Sequence, residues 1–458
     1  MKIDTNIKKE IFREYDLRGI YEEDLTEDVA YTLGRSYASY IEGDKVVIGY
    51  DNRVSSPVLS QALMHGLMDS GAHVINLGMV TTPMFYFAKK YLKIPTGIMV
   101  TASHNPGIYN GFKLSFTEIG NACGDEIRDF YDFTVKGNYK EGMGNIESYD
   151  IKTAYLEEVK RSIQLGNRKL KVVVDLGNGV ASVIVKQVLD LFGIEYYIMN
   201  EKKDLSVVSN YLDPSKKSLM IPLEEKVKEL GYDIGIGLDG DADRVGLVDE
   251  KGNHVSTENY MIIMYRELNK TLPLKKALFD VKCSKTLIEE ITRLGLKPVM
   301  YRTGNSYVGR KMIEDDFLFG GEFSGHMFFR DKWKGFDDGL YNGLRMVELL
   351  SHTDQTLSQL YDDVPILYQT EELLFPVSEK IKFQVVDAIK EEAEKRHLSM
   401  ITIDGIRVMM ESFWFLIRAS NTSPNLTVRI EADDPETLKQ VTEVLTRDLN
   451  HFIENYQA

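Results

Sequence analysis

Cysteine is nearly missing from this chain: Cys123 and Cys283 are the only two in 458 residues. Two such thiols suggest no disulfide framework, which fits a reducing compartment and makes cytoplasmic residence the default expectation. Long apolar runs are also missing. The chain starts with the charged stretch Met1-Lys2-Ile3-Asp4, and nothing approaches the ~20 consecutive apolar residues of a membrane span, so no membrane partner is expected. Positive charge is in deficit, with 55 Lys and Arg against 70 Asp and Glu and a formal net charge of -15. That balance argues against a nucleic-acid binder. It remains compatible with a small anionic ligand, because local cations decide the field of a cleft. Low-complexity segments and heptad runs are absent as well, and with them the case for a coiled-coil partner.

What the chain does have is a recurring strand followed by a polar turn. Val46 to Asp51, Val172 to Asp175 and Ala277 to Asp280 each read as a buried strand ending in Asp, and helical runs such as Ser56 to Ser70, Val180 to Phe192 and Lys285 to Leu294 accompany them. Three α/β units with mixed sheets are expected. The charged, non-periodic stretch Lys136 to Asp150, the turn Glu250-Lys251-Gly252-Asn253 and the segment Asp363 to Tyr368 suit their borders. After the last border the pattern becomes a smaller α+β unit. A helix from about Ser378 to His397 precedes strand-like runs at Gly405 to Met409, Phe413 to Ile417 and Leu426 to Glu431, and a helix follows from about Pro435 to Asn455.

Four polar segments carry chemistry. Thr101-Ala102-Ser103-His104-Asn105-Pro106 follows the apolar run Thr96 to Val100 and presents one small nucleophile, Ser103, at a strand-to-loop junction. The glycines of a hydrolase elbow are missing, since Thr101 and Asn105 stand in their places. His104 is a poor base for Ser103, because neighbouring side chains point apart in an extended strand. Asp239-Gly240-Asp241-Ala242-Asp243-Arg244 lies between two strand-like runs; alternate residues of an extended segment share a face, so three carboxylates converge on one hard cation. Unneutralised, they would raise one another's pKa. An EF-hand count also fits Asp239, Asp241, Asp243 and Glu250, but Arg244 stands where that loop needs glycine. Gly320 to His326 offers a carboxylate, a hydroxyl and an imidazole between glycines, suited to sugar hydroxyls. Arg418 to Asn425 packs a guanidinium, hydroxyls and amides into a turn suited to phosphate. Taken singly, each segment also reads as an ordinary polar turn.

Together and in order, TASHNP, DGDADR, GEFSGH and RASNTSP resemble the motifs of the α-D-phosphohexomutases, and among them the bacterial phosphomannomutase/phosphoglucomutase branch. FREYDLRG at Phe12 to Gly19, NGFK at Asn110 to Lys113, DVKCS at Asp280 to Ser284 and KGFDDG at Lys334 to Gly339 extend the resemblance over nearly the whole chain. It implies three similar α/β domains with mixed sheets, at 1-148, 149-252 and 253-366, plus a smaller C-terminal α+β domain at 367-458, around a central cleft. The small domain would hang on one short connection and close over substrate.

The resemblance further implies a phosphoryl carrier at Ser103 and Mg²⁺ held by Asp239, Asp241, Asp243 and a phosphoserine oxygen. Arg18, Lys113 and Arg244 would supply fixed positive charge. Glu322 and Ser324 would bind sugar hydroxyls, and Arg418, Ser420, Asn421 and Thr422 the distal phosphate. Tyr15 and Lys282 would add contacts, and His326 and Lys113 would move protons. The implied reaction interconverts hexose 1-phosphate and hexose 6-phosphate, of mannose or glucose, through a hexose 1,6-bisphosphate. A monomer is expected, with a weak dimer as the alternative, acting on small hexose phosphates. GEFSGH is similar to the mannose/glucose loop rather than to the GEQSG form of phosphoglucosamine mutases. Besides such a mutase, a metal-dependent sugar phosphatase and a catalytically silent sugar-phosphate binder are the rivals. One departure stands out: Thr303-Gly304-Asn305-Ser306 replaces the TGHS of relatives, and Asn305 cannot carry charge.

Overall fold

The computed structural model describes residues 1-118, 120-201, 212-378, 380-420 and 424-457. They pack as two compact units, Met1–Ile263 with Gly304–Asp362, and Met264–Thr303 with Asp363–Ala458.

The first unit contains two mixed sheets. In one, the strands Lys45–Tyr50, His73–Met79, Gly97–Val100 and Asn145–Ser148 run parallel, and Tyr109–Ser115 and Leu17–Ile20 add antiparallel strands at one edge. The expected strand at Val46 to Asp51 and helix from Ser56 are both present. The stretch Lys136 to Asp150, read as non-periodic, contributes the edge strand Asn145–Ser148, all of whose residues are exposed. With neither face buried, such a strand has no alternation to betray it. The second sheet has Lys171–Asp175 parallel to Glu195–Met199 and Ile234–Leu238, then antiparallel Val245–Val248 and His254–Val255. Strands Gly97–Val100, Ile234–Leu238 and Val245–Val248 are buried throughout. Continuous burial explains why these runs read as apolar rather than alternating, and it holds the turns at their ends rigidly. A short hairpin, Phe319–Gly321 with Met327–Phe329, completes the parts of this unit that carry functional side chains.

The second unit holds the parallel pair Lys276–Asp280 and Lys297–Tyr301 and an antiparallel C-terminal sheet built on Asn425–Ala432, Phe413–Ala419 and Ile406–Met409. Helices Lys382–Lys395 and Pro435–Gln457 cover that sheet, burying Val385, Val386, Leu449 and Ile453 with Ile406, Ile417 and Val428. The C-terminal sheet lies in the same unit as that parallel pair. It packs with residues 264-303, and the chain passes between units after Ile263, Thr303 and Asp362. The reason is a buried arginine: Arg407 donates to the carbonyls of Val281 and Cys283, both at 2.7 Å, and stacks 3.7 Å from the centre of the Trp414 ring. Cys123 and Cys283 are both buried, and no disulfide joins them. Among the described residues no helix is long and apolar enough to cross a membrane.

Candidate active site

Ser103 leaves the end of a fully buried strand with φ of +50°. A left-handed non-glycine residue is uncommon, and such outliers cluster at functional sites. The turn is fixed from behind by Arg53, which is 2 % exposed. Its guanidinium donates to the carbonyls of Ser103 and Asn105 at 2.7 Å and of Pro106 and Tyr109 at 2.9 Å. Asp51 orients it, 3.2 Å from Nε. Four carbonyls satisfied by one planar cation make this turn a rigid mount.

The left-handed turn also corrects one expectation. Ser103 is not extended, so His104 does not point away from it: Nδ1 lies 3.2 Å from Ser103 Oγ. Burial, then the charges of Arg244 and Arg18, holds the His104 pKa well below its ordinary value. The present donation runs instead from Ser103 Oγ to Asp239 Oδ2, at 2.7 Å.

Asp239, Asp241 and Asp243 are wholly buried and offer oxygens within 4.8 Å of one another. They converge on a turn between antiparallel strands, with Ala242 at φ of +65°, and not on one face of an extended segment. Two close approaches lock this turn. The backbone N–H of Gly339 donates to the Ala242 carbonyl at 2.9 Å, and that of Val245 to the Gly325 carbonyl at 3.1 Å. A Cβ on Gly339 would sit 2.3 Å from the Arg244 carbonyl oxygen, so only glycine fits there. Thr82, at the start of helix Thr82–Leu92, donates to Asp241 Oδ2 at 2.6 Å.

Charge in the cluster is unevenly met. Lys113 Nζ lies 2.7 Å from Asp241 and 2.5 Å from Asp243. Burial opposes the Lys113 charge, but the two carboxylates hold its pKa well above the ordinary lysine value. Burial likewise works against ionised Asp241, yet Lys113 and Thr82 push its pKa down. Asp239 is pushed well up, by burial first and then by Asp241 and Asp243. Burial and Asp241 also raise Asp243. Oδ1 of Asp241 and Oδ1 of Asp243 are buried without a hydrogen-bond partner in the protein. Orphaned carboxylate oxygens in a dry cluster cost free energy unless a cation takes them, so these residues fit a hard divalent ion.

The expected cations gather at this turn. Arg18 is held by Asp16 at 2.5 Å and donates to Asn105 Oδ1 at 3.0 Å, on the serine turn itself. The backbone N–H of Arg244 donates to Asp239 Oδ1 at 3.1 Å, and its Nε to His326 Nε2 at 3.0 Å. On the other side of that ring, Nδ1 is 2.7 Å from Asp337 Oδ2 and 3.6 Å from Asp243 Oδ1. Burial opposes a charge on His326, but Asp243 and Asp337 prevail and raise its pKa to about 9. Only a neutral ring, however, can accept from Arg244. His326 thus meets opposing demands, neutrality from Arg244 and charge from the two carboxylates.

Glu322 accepts from the backbone N–H of Gly304 at 2.5 Å, Asn305 Nδ2 donates to Asp337 Oδ2 at 3.0 Å, and the ring of Tyr15 lies against Gly304. Ser324 is half-buried in the same loop.

In the second unit, Arg418 pairs with Asp404 at 3.0 Å and Lys282 with Glu372 at 2.6 Å. The Ser420 carbonyl accepts from Lys382 Nζ. Asn421 and Thr422 lie outside the described residues. Sequence reasoning missed Arg53, Thr82, Asp337 and Asp404. Asp337 stood inside the quoted KGFDDG motif without a role, and Arg53 stood two residues past a strand-ending Asp; Thr82 and Asp404 had no signal of their own.

This constellation, a buried serine on three aspartates within mixed α/β sheets, has known relatives. Models of the phosphoglucomutase/phosphomannomutase alpha/beta/alpha domains I, II and III match residues 9-132, 153-252 and 256-368, and that of the C-terminal domain matches 372-447. The phosphomannomutase/phosphoglucomutase of Pseudomonas syringae pv. tomato is 37 % identical over 442 residues, covering 96 % of this chain and 95 % of that protein. A crystal structure of a phosphoglucomutase/phosphomannomutase family protein from Burkholderia thailandensis superposes with a TM-score of 0.89 at 33 % identity, covering 97 % of this chain and 98 % of that one. The Aspergillus fumigatus N-acetylphosphoglucosamine mutase, in complex with GlcNAc-6P and magnesium, shares the fold at 16 % identity and a TM-score of 0.54, over 89 % of this chain and 82 % of that one. The chain belongs to the phosphoglucomutase/phosphomannomutase family.

Proposed function

We propose that this chain interconverts hexose 1-phosphate and hexose 6-phosphate, of mannose, glucose or both, through a phosphorylated Ser103 and a hexose 1,6-bisphosphate. The observation that carries the reading is the buried Ser103 hydroxyl, 2.7 Å from Asp239 inside the cluster of three aspartates. Mg²⁺ is the ion this oxygen set suits, and the magnesium in the Aspergillus relative supports that choice. Asp239, Asp241 and Asp243 would hold it, and it supplies neutralisation of the transferring phosphoryl group.

In the forward half-reaction the bond between phosphorus and Ser103 Oγ breaks while a bond to the sugar hydroxyl oxygen forms, and the hydroxyl proton passes to a base. In the return half-reaction the other phosphate of the bisphosphate moves to Ser103 Oγ, and the released sugar oxygen takes a proton. His326, held by Arg244 on one nitrogen and Asp337 on the other, is one of the two groups suited to move these protons. Lys113, held by Asp241 and Asp243, is the other. Arg18 and Arg244 flank the serine turn and provide charge without reorganisation. Glu322 and Ser324 would read sugar hydroxyls, with Tyr15 beside them. Arg418, Ser420, Asn421, Thr422 and Lys282 would hold the phosphate that is not reacting.

The same reading has the enzyme working as a cytoplasmic monomer on small sugar phosphates. The protein incubated with Mg²⁺, mannose 1-phosphate and a trace of mannose 1,6-bisphosphate should yield mannose 6-phosphate. Release of free phosphate alone would turn the reading into that of a phosphatase.

A further inference from the structure

Apart from the serine and the aspartates, the first unit contains a cavity of about 390 Å³ beneath the helix Thr82–Leu92. Its walls are largely apolar, from Ile94, Ile313, Phe328 and Phe336. Polar groups interrupt them, among them Lys90, Lys93, Glu118 and Asn121, and two lack a partner. Lys89 lines the cavity at 7 % exposure, and among the described residues its ammonium has no hydrogen-bond or ion-pair partner; its nearest recorded contact is the Phe85 ring, 5.9 Å to the centroid. Ser306, at 4 % exposure, lines the same cavity with a buried Oγ that also lacks a partner. Unpaired buried cations and hydroxyls are rare in folded proteins because both forfeit hydration for nothing.

The electrostatics agree with that geometry. Burial first, then the charges of Lys90 and Arg310, draws the Lys89 pKa down to about 7, with Glu118 as the one acidic neighbour acting against them. An anion seated on Lys89 would reverse that cost.

We propose that this cavity is a second ligand site, for a small carboxylate with an apolar body about the size of one aromatic ring, its charge on Lys89 and a polar substituent on Ser306. The volume lies in the range of small-molecule sites, which are mostly apolar with few placed polar groups. Asp337 and Asn305 also line the cavity, and Asp337 is the carboxylate that pairs with His326. Occupancy would thus reach the histidine through its positioning residue.

The test measures binding directly, apart from turnover, so that its failure is distinct from failure of the mutase reading. Titration calorimetry with 4-hydroxyphenylacetate should give one site per chain, with weaker affinity at pH 8 than at pH 6 as Lys89 loses its proton. Lys89→Met should weaken binding by ~10-fold or more and Ser306→Ala by less, while mannose 1-phosphate binding stays unchanged in both. Lys89→Met removes an unpaired buried charge, so the variant should fold at least as well as the parent. The neutral 4-hydroxyphenylacetamide should not bind. Absence of binding, equal binding to Lys89→Met, equal binding of the amide, or competition by mannose 1-phosphate would each overturn the proposal.

Discussion

Asp241 and Asp243 share the single ammonium of Lys113, whereas Arg418 and Lys282 each have a carboxylate of their own, Asp404 and Glu372. The first arrangement leaves negative charge and two orphaned oxygens in a dry turn. The second is neutral pair by pair. The acidic turn is therefore poised to take a cation, and that gain needs no existing partner to leave except by sharing Lys113. An anion arriving at the second site must instead compete with carboxylates already in place. The same types of charged group thus give unequal results, unmet negative charge in one turn and charge met pair by pair in the other.

The largest expected effect breaks the first region outright. Ser103→Ala should lower kcat by ~10³-fold or more, as loss of a nucleophile does. Intact-mass analysis should show the parent partly phosphorylated and the variant not. Full activity in the variant would remove the phosphoserine. Next, Asp241→Asn should cost ~10²-fold in turnover and make activity far more sensitive to chelator than in the parent. An unaltered magnesium titration would mean that the orphaned oxygens have another purpose.

Smaller changes are expected where charges are already paired. Arg418→Lys keeps the charge but loses the planar fork, so KM should rise ~10-fold with kcat held. Asp404→Asn releases the competing carboxylate, so KM should fall a few-fold. A rise in KM for Asp404→Asn would show that Asp404 orients Arg418 instead of competing for it, and the contrast between the two regions would then be one of degree.

The parts of the site that were legible in sequence are those made within one segment. Asp239, Asp241 and Asp243 stand in five consecutive residues between apolar strands, and Ser103 follows another, so burial of the strands and polarity of the turns were both written locally. What was not legible needed segments to meet. Arg53 acts on carbonyls fifty and more residues away, and nothing about an arginine after a strand says which turn it will hold. His104 was misjudged because an extended strand was assumed where Ser103 is left-handed. Nor does sequence show that Arg407 and Trp414, far along the chain, touch residues 264-303.

Asp338 measures what burial does to a carboxylate that neither region's logic covers. It is wholly buried, caps the helix Gly339–Ser351 by accepting from the backbone N–H of Tyr341 at 3.0 Å, and accepts from the Tyr155 hydroxyl at 2.7 Å. No cation joins it among the described contacts. Burial raises its pKa to about 7 against the opposing pull of these two donors. The folded state then holds a proton that the unfolded chain has already released above its ordinary value near 3.8. Stability contributed by this group must fall as pH rises between those two values, by ~1.4 kcal/mol per pH unit within the window. Asp338→Asn keeps a capping oxygen and cannot ionise, so its denaturation midpoint should fall less than the parent's between pH 4 and pH 7. Parallel curves for the two proteins would mean that Tyr155 and the helix end stabilise the carboxylate as fully as Lys113 stabilises Asp241. The difference between a buried acid with a cation and one without would then vanish.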